Sequence, residues 1–361
     1  MIKLGTILNT VYLPYAPQGA RAAISAINAD GGVDGHPLEL EICDNQLKAS
    51  AAAACARRFI SESVVATVGD ESSYGPDTNS PLANAKIAGI GTNPLGSGDY
   101  ASPRVFPFTS GGLPFLGGAG FLLKETHAGR MGMLLESTPT AAALPDLVNK
   151  MVLEPAGSKL AGITTIPPTA TDVSSQAASL IQTDGQLLIT TQALTERYIT
   201  ASRQQGYRGP VIVSESQADL PELVKNVGAS NLDQLYGMSA FNKESPGYQH
   251  YLADMHKYQP SVYPGDLSAM TWLAVEAFAK VAGSLSDITR QGVWDAMNAQ
   301  SALSTDGMTQ VLNFTEPGKA LGGTAPRLVA GVQSIYIDRY EDGQWKPYFT
   351  PQRPVPLFGT P

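Results

Sequence analysis

The chain has 361 residues, 43% of them hydrophobic and only 16% charged, which excludes a disordered chain and, at roughly 100–200 residues per domain, sets a prior of two lobes. The 24 basic against 32 acidic residues leave a net charge of −8, a sign that repels phosphate backbones and removes nucleic acid from the expected partners. The 36 glycines and 26 prolines recur without a period, so collagen-like and low-complexity readings fail as well.

In chain order, strands and helices alternate. Ile2–Leu8 is a short apolar run of the kind that forms a buried parallel strand. Gln18–Asp30 carries Ala20, Ala23, Ile24 and Ile27 on one helical stripe, and Gly31-Gly32 stops it. Leu38–Cys43 reads as strand, Leu47–Glu62 as helix, Val64–Val68 as strand, about Asp77 to Ala85 as helix and Lys86–Ile90 as strand. Strands joined by helices of this length make right-handed crossovers and a doubly wound sheet.

The pattern then restarts. Phe115–His127 reads as helix, Arg130–Glu136 as strand, Ala141–Glu154 as helix and Leu160–Ile166 as strand. Val173–Gln182 is helix, Gln186–Thr190 strand, Leu194–Gln205 helix and Pro210–Ser214 strand. After a strand near Leu235–Ser239 come three helices, Pro246–Tyr258, Leu267–Gly283 and Thr289–Ala299. In the tail, Val332–Arg339 alternates and Asp342-Gly343 makes a hairpin turn before Trp345 and Tyr348. The fold class is therefore α/β, with two rounds of doubly wound, Rossmann-like architecture.

No stretch of about 18 uninterrupted apolar residues occurs, so no membrane-spanning helix is expected. Met1-Ile2-Lys3-Leu4-Gly5 enters a strand pattern directly, which leaves two options open, a cytoplasmic chain or one whose leader has been removed. Cys43 and Cys55 lie 12 residues apart and fit no zinc pattern. His36, His127, His250 and His256 are scattered, so no metal site is expected. The two cysteines are either a disulfide or two reduced small hydrophobes. If bonded, a loop of this size stabilises by about 3 kcal/mol and belongs to an oxidising compartment.

Several catalytic signatures are missing. No Gly-x-Gly-x-x-Gly follows the first strand; the nearest stretch, Gly89-Ile90-Gly91-Thr92-Asn93-Pro94, has no third glycine and places a proline where a helix should begin. Gly318-Lys319 lacks the remainder of a phosphate loop, and no Gly-x-Ser-x-Gly elbow exists. No cofactor is expected, and a binder is favoured over an enzyme such as a nicotinamide-dependent dehydrogenase or an amidase.

Three places just beyond strand ends carry polar chemistry, where open α/β sheets bind ligands. Asp70-Glu71-Ser72-Ser73-Tyr74 leads into a helix, with hydroxyls and N–H groups suited to a carboxylate; plain N-capping by Ser72 or Ser73 is the alternative. Gly91-Thr92-Asn93-Pro94 offers the Thr92 hydroxyl in a proline-fixed turn, or is simple turn chemistry. Ser214-Glu215-Ser216 places Glu215 where an ammonium could sit, or where a solvated carboxylate would. Together they could grip the opposite charges of an α-amino acid.

These residues carry a resemblance. Ile2-Lys3-Leu4-Gly5, Gly19-Ala20-Arg21-Ala22-Ala23, Ile27-Asn28-Ala29-Asp30-Gly31-Gly32-Val33-Asp34-Gly35, then Asp44, Ala52 and Phe59 to Val68-Gly69, and finally Ser72-Ser73, Gly91-Thr92-Asn93-Pro94 and Gly206-Tyr207 with Glu215 follow in order. Over nearly its whole length the chain resembles the branched-chain amino-acid-binding (leucine/isoleucine/valine-type) family of type I periplasmic solute-binding proteins of ABC transporters.

The resemblance implies two lobes joined by a three-strand hinge, residues 1–109 with 240–330 and 110–239 with 331–361, closing around a ligand. It implies Ser73 and Thr92, with the N–H groups of the Ser72–Tyr74 turn and neighbouring Asn93, on the ligand carboxylate. It implies Glu215 on the α-ammonium, and Tyr12 or Tyr15 over the side chain. The partners implied are an amino acid or related small carboxylate and a membrane permease, with a monomeric binder outside the cytoplasm, periplasmic or extracellular, and lipid-anchored if a leader carries a lipid site. A ligand-sensing receptor domain of the same fold is the alternative, as is a binder of a small aromatic or aliphatic carboxylate. Ser137-Thr138-Pro139-Thr140 stands where the family has an aromatic-Gly pair, and Thr191-Gln192 where it often has an aromatic. Both changes make that face smaller and more polar, and point away from branched-chain side chains more than from amino acids as a class.

Overall fold

A computed structural model describes residues 1–10, 13–138, 141–218 and 220–358. In chain order they form β1 (Ile2–Leu8), α1 (Ala16–Ala29), β2 (Leu38–Asp44), α2 (Ala49–Ser61), β3 (Ala66–Val68), α3 (Gly75–Asn84), β4 (Ala88–Ile90), α4 (Ser97–Ala101) and β5 (Val105–Phe106). There follow α5 (Pro114–Lys124), β6 (Met131–Glu136), α6 (Leu144–Val148), β7 (Leu160–Ile166), α7 (Ser174–Leu180), β8 (Gly185–Ile189), α8 (Gln192–Gln204), β9 (Val211–Ser214), α9 (Leu220–Val227) and β10 (Leu235–Ser239). The chain ends with α10 (Pro246–Tyr258), α11 (Asp266–Ala282), α12 (Arg290–Asn298), β11 (Ser334–Glu341), β12 (Gln344–Pro347) and β13 (Val355–Pro356).

The chain divides into two compact units, Met1–Gly112 with Ser245–Gln333, and Leu113–Glu244 with Ser334–Pro361. The backbone therefore passes between them three times. In the first unit the strands are all parallel, in the order β2-β1-β3-β4-β5. Leu4, Ile7 and Leu8 of β1 are buried, as a central strand covered by helices on both faces requires. One cover is the pair α1 and α11. A Cβ on Gly19 would stand 1.8 Å from the carbonyl oxygen of Ser268, so only glycine lets these helices meet backbone to backbone. Ala20 N–H donates to Thr271 Oγ1 across the contact at 3.1 Å. Cys43 on β2 and Cys55 on α2 form a disulfide, Cα to Cα 5.7 Å.

The second unit repeats the winding. Its sheet runs β12-β11-β10-β9-β8-β6-β7, with β13 on β11. The core from β7 to β10 is parallel, and β11 joins it antiparallel. The expected hairpin is present, with Asp342 (φ 53°) and Gly343 (φ 83°) in its turn and Tyr340 opposite Trp345.

The expected single helix over 141–154 is instead segmented: a 3₁₀ turn at Ala141–Ala143, α6, a π-type turn at Asn149–Leu153 and a 3₁₀ turn at Glu154–Ala156. Pro145 and Pro155 have no N–H to continue a ladder, and Gly157 at φ 73° closes the stretch. The helix begun at Pro114 ends at Lys124, and His127 turns left-handed at φ 54°. The two-residue strands β5 and β13 and the five-residue α4 are too short to show a period. No helix among the described residues is long and apolar enough to cross a membrane.

Candidate ligand site

In each unit the parallel strands adopt the 2-1-3-4-5 order, whose topological switch lies beside the first strand, and ligands bind beyond the carboxyl ends there. In the first unit the switch lies between β1 and β3. The chain leaves β3 through Gly69 at φ 62°, where a Cβ would come within 2.6 Å of Thr271 Cγ2. Asp70 follows and is committed to the scaffold. Its Oδ1 accepts from Ile7 N–H at 2.9 Å, and its Oδ2 accepts from Arg104 at 2.9 Å.

Arg104 is 1% exposed and donates from all three of its side-chain nitrogens. Its Nε donates to Ile87 O, its Nη1 to Asn79 Oδ1 and its Nη2 to Thr67 Oγ1 and Asp70. Asn79 in turn donates to Asp99 at 2.8 Å, and Asp99 Oδ2 accepts from Leu95 and Gly96 N–H. Burial raises the Asp99 pKa against these hydrogen bonds. A satisfied buried network of this kind rigidifies what it touches, here the loops leaving β3 and β4.

On that rigid base sit Glu71, Ser72, Ser73, Tyr74, Thr92 and Asn93. Ser72 Oγ accepts from Tyr74 N–H at 3.1 Å and from Asn45 Nδ2 at 3.3 Å, so Tyr74's N–H is taken up within the turn. The Tyr74 hydroxyl donates to Leu47 O. Ser73 is exposed. Thr92, 4% exposed, has a buried hydroxyl with no hydrogen-bond partner among the described residues. Gly89 makes room for it: a Cβ there would lie 2.6 Å from Thr92 Oγ1 and 2.8 Å from Arg104 Nη2. An orphaned buried hydroxyl costs about 1–3 kcal/mol, and such a group calls for an explanation.

Glu71 is 9% exposed. Its N–H donates to Ile7 O at 3.0 Å, and its backbone bridges to Asn93. Its Oε2 accepts from Asn93 Nδ2 at 3.0 Å, and Asn93 Oδ1 accepts from the Thr109 hydroxyl at 2.7 Å. Burial pushes the Glu71 carboxyl up to about 7, with the Asn93 hydrogen bond opposing.

In the second unit, Glu215 opens a 3₁₀ turn directly after β9. It is buried, and its carboxylate pairs with the ammonium of Lys243. Lys243 Nζ also lies 2.6 Å from the buried Asp338 on β11. Gly237 on β10, opposite Asp338 in the ladder, leaves the space: a Cβ there would meet Glu215 Oε1 at 2.5 Å. Gln352 completes the group, donating to Asp338 Oδ1 at 2.9 Å and accepting from Lys243 N–H at 2.6 Å. At this unit's own switch, between β6 and β8, Thr191 N–H donates to Glu136 at 3.0 Å. Gln192 begins α8 and donates to Glu196 at 2.9 Å.

The structure thus gathers Ser72, Ser73, Tyr74, Thr92 and Asn93 at one end of the first sheet, while Glu215 and Gln192 stand at strand ends of the second unit. Tyr15 is exposed at the start of α1. Tyr12, like Pro139 and Thr140, lies outside the described residues. Sequence reading passed over Lys243, which holds Glu215 from 28 residues away, and Asp338, which pairs with the same ammonium from another strand; no local pattern links them. It also passed over Glu71 as a buried group, although the residue sits inside the Asp70–Tyr74 stretch it singled out.

The model of a family described as periplasmic binding protein matches residues 12–327. A search of curated proteins found no match. Among solved structures, a substrate-binding periplasmic protein from Ralstonia solanacearum aligns at 16% identity and a TM-score of 0.78, over 94% of this chain and 97% of the other. A branched-chain amino acid transporter substrate-binding protein from Streptococcus pneumoniae, in complex with isoleucine, aligns at 16% identity and 0.77, covering 99% of each chain. A fatty acid ABC transporter substrate-binding protein from Thermomonospora curvata aligns at 17% identity and 0.78, over 100% of this chain and 92% of the other. The fold is the two-lobed α/β fold of type I periplasmic binding proteins, and with a family model covering most of its length the chain belongs to the periplasmic binding protein family.

Proposed function

We propose that the protein is the extracytoplasmic solute-binding component of an ABC importer, that it takes an amino acid or a related small carboxylate, and that a membrane permease receives the loaded form. The observation that carries this reading is the buried Thr92 hydroxyl at the carboxyl end of β4, which has no hydrogen-bond partner among the described residues. A hydroxyl kept without an internal partner, beside the Ser72–Ser73 turn and a helix N-terminus, suits an incoming carboxylate. Ser73 adds an exposed hydroxyl at the same strand ends. The Cys43–Cys55 disulfide supports an oxidising compartment. Glu215 is the second unit's candidate for the ligand ammonium, and a ligand there would share its carboxylate with Lys243.

A second reading has an observation of its own. Because Lys243 is paired with Glu215, a ligand without an ammonium would leave that pair undisturbed, and one solved structure of similar fold is a fatty acid ABC transporter substrate-binding protein. A thermal-shift screen of amino acids against small mono- and dicarboxylates tests both readings, since a bound ligand raises the melting temperature by mass action. Stabilisation by amino acids supports the first reading, and stabilisation by plain acids alone supports the second. No shift with either class overturns the proposal.

A further inference from the structure

One buried carboxyl group of the first unit has a distinctive environment. Glu71 is a buried carboxylate with no ion pair among the described residues, and its carboxylate has one hydrogen-bond partner there, the neutral amide of Asn93. Arg104, the cation paired with the preceding residue, is committed to Asp70, Thr67, Asn79 and Ile87. Buried carboxylates are expected to be paired, and a lone one carries a desolvation cost. Glu71 stands immediately before Ser72 and bridges to Asn93, the residue after the orphaned Thr92 hydroxyl. Among the described residues, a buried acid with no ion pair and a buried hydroxyl with no hydrogen bond thus lie at the ends of two adjacent strands. The two charges of an α-amino acid are borne on one carbon, so a single wall can meet both.

We propose that Glu71 receives the positively charged group of the ligand, with Thr92 beside it on the carboxylate; this rests on the amino-acid reading above and assigns the ammonium to the first unit. Burial holds the free carboxyl at about 7, and an ammonium in contact would restore its charge. Asn93, itself braced by Thr109, positions the carboxylate.

Calorimetric titration of the full chain with matched probes tests this: alanine with propionate, leucine with 4-methylpentanoate, glutamate with glutarate, and phenylalanine with 3-phenylpropionate. The tightest amino acid should bind about tenfold to a hundredfold better than its des-amino partner, as a hydrogen bond to a charged group implies. Glu71→Gln retains an oxygen for Asn93 and should erase that preference, weakening the amino acid by about the same factor while leaving the acid unchanged. Equal loss for both members of a pair, or no loss for either, overturns the assignment and leaves the amino-acid reading standing. If no amino acid binds, that reading fails and the assignment fails with it. If Glu71→Gln does not fold, a crystal structure of the unmodified protein with the tightest amino acid decides: an ammonium on Glu71 supports the assignment, and one held by Glu215 without Glu71 overturns it.

Discussion

Lys243 and Glu215 form a buried ion pair that also includes Asp338, 2.6 Å from the same ammonium. The three come from the segment after β10, the turn after β9 and strand β11. Gln352 adds the tail, bonding Asp338 and the Lys243 backbone. The cluster therefore fastens the crossing at 243–244 to the sheet. Removing one partner of such a group leaves buried charge uncompensated, which costs about 3–5 kcal/mol. Lys243→Met is expected to lose stability of that order in urea denaturation while remaining folded at zero urea. An unchanged midpoint would mean that the cluster does not secure this unit.

Thr92→Val separates binding from folding. The hydroxyl has no hydrogen bond to lose among the described residues, and replacing an unsatisfied polar group by a methyl of similar shape is close to neutral. The melting temperature should hold or rise slightly, while affinity for the ligand falls by about tenfold, one hydrogen bond to a carboxylate. Valine binding as tightly as threonine would remove Thr92 from the site.

The winding was legible because each parallel strand is a short apolar run and each crossover helix carries a stripe, as in Ile2–Leu8 and the Ala20–Ile27 face. What escaped was either too short for a period, as with β5 and α4, or broken by proline, as in 141–156. The same division holds at the site. The Asp70–Tyr74 and Gly91–Pro94 stretches could be found because they follow strands, and strand ends bind ligands. Which carboxylate is already paired could not, because it depends on partners such as Lys243 and Arg104 brought from distant sequence. Asp70 and Glu71 are neighbours of the same charge, yet one is held by an arginine and the other by an amide; only the fold distinguishes them.

The disulfide between β2 and α2 closes a loop with a sequence separation of 12. A loop of this size is worth about 3 kcal/mol through restriction of the unfolded chain. Reduction, or Cys43→Ala with Cys55→Ala, should lower the denaturant midpoint accordingly without altering the fold, because Cys55 packs among Ala56, Phe59 and Ile7 in a core that persists. Equal midpoints with and without reductant would show that the bond adds nothing to stability.

Stability should also depend on pH through Glu71. Burial lifts its carboxyl from 4.5 to about 7, so the folded chain holds that proton more tightly than the unfolded chain between these values. The stabilisation is complete below about pH 4.5 and is lost as the pH rises through 7; in full it amounts to about 3 kcal/mol. Glu276 on α11 moves the same way, also to about 7, by burial, opposed by His250 and reinforced by Asp254 and Asp306. Denaturation midpoints should therefore fall between about pH 5 and pH 7.5 in the unmodified protein. Glu71→Gln should flatten the fall in part, and Glu71→Gln with Glu276→Gln should flatten most of it. A Glu71→Gln variant that keeps the full slope would show that Glu71 is not the group whose proton is held, and that its carboxyl is charged in the folded protein throughout this range.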